Sequence, residues 1–78
     1  MKSQKNRPAH RKRLGDTIRA YRTDLGLSQE RLAELVDCHR NYIGKVERGE
    51  QNITIDMLTR VAKALKCSVT ALTGGAKL

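Results

Sequence analysis

Apolar residues recur along this chain at helical spacing. Leu14, Ile18, Tyr21 and Leu25 follow one another at i, i+4, i+7 and i+11, which makes one stripe on one helix face. Gly26 comes directly after the last of them and suits the left-handed residue that ends a helix. Ser28 then offers a hydroxyl cap to a second helix, with Gln29, Glu30 and Arg31 in its first turn and Leu32, Ala33 and Val36 on its inner face. Asp37, a residue type that tolerates the turn conformation, ends it, and a third helix is predicted from about His39 to Arg48, stopped by Gly49. Thr54 caps the most apolar stripe of the chain, made of Ile55, Leu58, Val61, Ala62 and Leu65. Ser68 caps a last short helix with Val69 and Leu72, which Gly74 and Gly75 end. No segment sustains a period of two, so no sheet is expected.

The fold class is therefore all-α, a compact five-helix domain. Its second and third helices are short and close together in sequence, the layout of a helix-turn-helix. With 78 residues there is room for one domain. A chain of this length buries only about 60% of its unfolded surface, so good helix packing or a partner subunit has to support it. Phe and Trp are absent, which leaves the core to aliphatic side chains.

Charge divides the chain in two. The net charge is +8, and residues 1–13 carry Lys2, Lys5, Arg7, Arg11, Lys12 and Arg13 with no acid. The remaining ten basic residues nearly balance eight acidic ones. Residues 1–13 read as a basic arm, disordered until it meets a partner, ahead of a folded domain over 14–78. Such an arm suits a nucleic acid or an anionic membrane surface, or serves as a solubilising tail. Cys38 and Cys67 have no metal-ligand spacing and read as small hydrophobes. No signal peptide or membrane-spanning run is present, so the expected location is a reducing cytoplasm.

On a wheel at about 100° per residue, Arg40, Asn41, Gly44, Lys45 and Arg48 share the outer half of the third helix. An arginine fork matches guanine O6 and N7, asparagine matches adenine, and lysine matches guanine or phosphate. A solvated helix face with basic residues would show the same composition. Gly44 costs about 1 kcal/mol of helix propensity, which points to close approach on that face.

The surrounding residues resemble a known family. Ile18-Arg19, Arg22, Gly26-Leu27-Ser28-Gln29-Glu30-Arg31-Leu32-Ala33, Tyr42-Ile43, Val46-Glu47-Arg48-Gly49, Leu58, Val61-Ala62, Ala64-Leu65 and Leu72 are similar to the lambda-repressor/Cro, or Xre, type of helix-turn-helix regulator. His39-Arg40-Asn41-Tyr42-Ile43 and Asn52-Ile53-Thr54-Ile55 further resemble the controller proteins of restriction–modification systems. The chain departs from the pattern at Asp37, where the family usually has Gly, and at Gln51, where many controllers have a basic residue. The resemblance implies base reading by Arg40, Asn41 and Lys45. It implies DNA backbone contacts at Gln29, Tyr42, Arg48 and Asn52, with Gln51 and His39 also candidates. It further implies a buried ion pair between Arg22 and Glu47 that ties the first helix to the third.

The expected function is thus a transcriptional regulator that binds double-stranded DNA as a homodimer on a palindromic operator, in the manner of a self-regulating controller. An antitoxin of a toxin–antitoxin pair is the alternative, and it would need extra surface for its toxin. One recognition helix reads too few base pairs to select a site alone, so two copies are expected, joined through Ile55, Cys67, Val69 and Leu72. Glu30 and Glu34 are candidates for contact with RNA polymerase. No catalytic set, phosphate-binding glycine loop, metal or cofactor is expected. A domain this small leaves no room for a small-molecule sensor.

Overall fold

The computed structural model describes residues 9–75. Five helices follow in order: α1 (Ala9–Asp24), α2 (Gln29–Val36), α3 (Arg40–Glu47), α4 (Ile55–Ala64) and α5 (Val69–Gly75), with no strand among the described residues. Three of the four caps follow the hydroxyl positions that the sequence marks. Ser28 Oγ accepts from Arg31 N at 2.9 Å, Thr54 Oγ1 from Met57 N at 3.1 Å, and Ser68 Oγ from Ala71 N at 2.9 Å. The fourth cap is His39, whose Nδ1 accepts from Asn41 N at 3.3 Å.

The first four helices all end in the same way. One left-handed residue turns the chain, and the next N–H reaches back to a carbonyl of the last turn. The turning residues are Gly26, Asp37, Gly49 and Lys66, with φ of +73°, +58°, +76° and +60°. The backward bonds are Leu27 N to Arg22 O, Cys38 N to Ala33 O, Glu50 N to Lys45 O and Cys67 N to Ala62 O, all between 2.8 and 3.0 Å. Asp37 takes the role expected of it. Lys66 does so without any glycine or asparagine to announce it.

Each helix contributes to one core. Ile18 of α1, Leu32 and Val36 of α2, Ile43 of α3, Val61 of α4 and Leu72 of α5 are all essentially solvent-free. Helix α1 packs on α3 and α5, and α2 packs on α3 and α4. Arg60 of α4 donates to the Val36 carbonyl at 2.9 Å, so α4 also caps the end of α2.

Three expectations are corrected. Helix α1 begins at Ala9, not near Leu14, so residues 9–13 of the expected arm are helical. An apolar stripe marks where a helix enters the core and not where it starts; arginine and lysine are good helix formers and extend it outward. The rest of that arm, with Lys2, Lys5 and Arg7, lies outside the described residues. Leu72 is 0% exposed and belongs to the monomer's own core, so it is not available to a partner. Leu25 leaves the stripe of α1 and is 42% exposed, because the chain turns at Gly26 before that side chain reaches the core.

Candidate nucleic-acid interface

Helix α3 stands on a junction of three helices. Arg22, near the end of α1, meets Glu47, the last residue of α3, in a two-point fork: Nε to Oε2 at 2.7 Å and Nη2 to Oε1 at 2.9 Å. Both side chains are nearly removed from solvent, at 9% and 3% exposure. The third arginine nitrogen, Nη1, donates to the Leu27 carbonyl at 2.7 Å. Gln29, the first residue of α2, adds its amide Nε2 to Glu47 Oε1 at 3.0 Å. One carboxylate therefore holds α1, α2 and α3 together, accepting from Arg22 Nε, Arg22 Nη2 and Gln29 Nε2.

With that junction buried, α3 turns Arg40, Asn41 and Lys45 outward, all exposed. Arg48 follows at its end, also exposed, with its guanidinium on the Glu50 carboxylate at 3.1 and 3.3 Å. Tyr42 is half-buried against the core, and burial raises its phenol pKa above the ordinary value, with nearby Cys38 adding to the effect. Gln51 is half-buried and Asn52 exposed on the loop into α4. Gln29 is half-buried and engaged with Glu47. The candidate base-reading residues are thus gathered on one face, while the candidate backbone contacts are spread from the α2 N-terminus to the α3–α4 loop.

Gly44 is buried, contrary to the outward position that the wheel gives it. Side chains of the protein itself come close to it. A Cβ there would lie 3.1 Å from Arg48 Nη1 and 3.7 Å from Gln29 Oε1. Glu50 escapes a reading based on helical stripes, since it lies past the helix in the turn. The only hint is a carboxylate two residues after an arginine across a glycine.

Ile55, at the start of α4, is 75% exposed, far more than an isoleucine needs to be. It borders a groove of about 200 Å³ lined also by Leu14, Val46, Ile53 and Leu58. Cys67 and Val69 are half-buried. The two thiols are free, and burial pushes the pKa of each up, away from thiolate chemistry. Among the described residues no three of His, Cys, Asp and Glu are grouped to hold a metal, and no helix is long and apolar enough to cross a membrane.

Known proteins share this fold. The helix-turn-helix family model matches residues 18–72. The control protein C.SmaI of Serratia marcescens is 51% identical over 59 residues, spanning 76% of this chain and 70% of its own. The restriction–modification controller C.AhdI of Aeromonas hydrophila superposes with a TM-score of 0.82 at 38% identity, over 83% of this chain and 98% of that one. The clp gene regulator ClgR of Corynebacterium glutamicum superposes with a TM-score of 0.87 at 30% identity, over 92% of both chains.

Proposed function

Since the chain belongs to the helix-turn-helix family, we propose that it is a transcriptional regulator that reads duplex DNA with α3 and controls a restriction–modification system. The observation that carries this reading is the outer face of α3, where Arg40, Asn41 and Lys45 are all exposed above the buried Arg22–Glu47 junction. Side chains of these types discriminate base edges in a major groove, and here they stand on a helix whose last residue is tied to α1 and α2. The similarity to the control protein of Serratia marcescens and to the controller of Aeromonas hydrophila supports the restriction–modification setting.

Arg40→Ala should lose roughly 1–3 kcal/mol of specific affinity and relax the preference at one base pair of each half-site. Lys45→Ala should do the same at a neighbouring position. A selection from a random duplex pool followed by binding of each variant provides the test. Unchanged ratios of specific to random binding for either variant would remove that residue from base reading.

The operator is read as a palindrome bound by a homodimer. Ile55 supports this, because a large exposed apolar side chain beside an apolar groove is typical of a surface that a partner covers. Cys67 and Val69 flank the same assembly surface in this reading, and Leu72 does not. Ile55→Asp should move the protein toward monomer in sedimentation at micromolar concentration while its helical content stays unchanged. A variant that sediments like the parent would place the interface elsewhere.

A further inference from the structure

We propose that Glu50 is a built-in competitor for DNA phosphate, occupying Arg48 so that this arginine reaches the DNA backbone only by giving up a partner within its own chain. The proposal rests on the DNA-binding reading above and adds a residue that sets how tightly the backbone is held.

The two carboxylate oxygens of Glu50 take Arg48 Nε and Nη2 at 3.1 and 3.3 Å. A phosphate presents the same pair of acceptors to an arginine fork, so the two ligands compete for one set of donors. Most exposed ion pairs are chance encounters of long side chains. This one is held by the backbone. Glu50 N donates to Lys45 O at 2.8 Å and Gly49 N to Val46 O at 3.0 Å, which fixes the turn that carries the carboxylate. Gly49 in turn lies against α1, where a Cβ would come within 3.0 Å of Lys12 Cα, so the turn is pressed from behind.

The arginine packs on its own helix. Its Nη1 lies across the bare Cα of Gly44, one helical turn back along α3. The carboxylate is the more enclosed partner, with 28% of its side chain exposed against 58% for Arg48. The guanidinium thus keeps much of its surface open to solvent, while its Nε–Nη2 edge is taken by Glu50. A phosphate arriving at this end of α3 meets an arginine whose charge is already matched.

The test uses the full chain and a mixed-sequence duplex DNA probe at low salt, so that no operator need be known. Glu50→Gln should bind this duplex roughly two- to five-fold more tightly than the parent, the range set by an exposed ion pair. Glu50→Asp keeps the charge but shortens the reach, and it should tighten binding by a similar factor. In an Arg48→Ala background both gains should vanish.

Several outcomes would overturn the proposal. A gain from Glu50→Gln that persists without Arg48, or that Glu50→Asp fails to reproduce, would reduce Glu50 to a general negative field. Unchanged or weaker binding would mean that Glu50 leaves Arg48 unhindered or positions it for DNA. Should Glu50→Gln melt early, the Glu50→Asp comparison with and without Arg48 decides alone. A parent protein that binds no duplex at all would instead overturn the DNA-binding reading itself.

Discussion

Glu47→Ala should cost about 3–5 kcal/mol of folding stability, because it strands a buried charge. Arg22, whose side chain is only 9% exposed in the parent, would lose the carboxylate on Nε and Nη2 and keep its bond to the Leu27 carbonyl. Gln29 would lose its acceptor in the same step. A chain of this length has about 4–12 kcal/mol in total, at roughly 0.05–0.15 kcal/mol per residue, so much of the population would unfold on mild warming. The double variant Arg22→Met/Glu47→Leu should recover part of the loss, since an apolar pair of similar volume removes both charges. Full recovery is not expected, as the Leu27 carbonyl and the Gln29 amide would each lack their partner. Denaturant melts of the three proteins provide the measurement. A Glu47→Ala midpoint equal to the parent's would contradict the buried junction.

Gly15→Ala is the second large effect, and its sign runs against helix propensity. Alanine in place of a helical glycine normally gains about 1 kcal/mol. Here the added Cβ would press on the Val46 carbonyl oxygen and come within 2.5 Å of the Glu47 carbonyl oxygen and 2.8 Å of its carbon. These are backbone atoms of α3, which cannot rotate aside. Overpacking against them should cost about 3 kcal/mol or more, a net loss of about 2 kcal/mol after the propensity gain. Gly44→Ala supplies the contrast within the same domain. Its Cβ would meet only the ends of Arg48 and Gln29, which can give way, so that variant should be neutral or up to about 1 kcal/mol more stable. Matching losses for the two variants would refute the assignment of Gly15 as the close contact between α1 and α3.

These two sites also show where a sequence stops speaking. The caps Ser28, Thr54 and Ser68 are readable because a hydroxyl directly precedes an apolar helical period, and that signal is local. The Arg22–Glu47 pair spans 25 residues, and no periodicity links its members; only resemblance to a family brings it out. Gly15 is mute for a related reason, since its missing Cβ matters only once α3 lies across it. Leu72 shows a different ambiguity. A monomer core and a subunit interface both ask for leucine, and only the packing of α5 on α1 decides between them. The basic outer face of α3 was legible as composition, but the turn carrying Glu50 follows no helical stripe.

The docking of α5 on α1 bears on how the protein is made. Synthesis delivers α1, α2 and α3 to the ribosome exit before α5, yet Leu72 supplies a fully enclosed part of the same core that Ile18 begins. Helices can form locally as they emerge, but a core whose first and last elements touch cannot close until both are present. A chain without α5 therefore leaves the apolar flank of α1 uncovered, and the core closes only once Leu72 has emerged to pack on it.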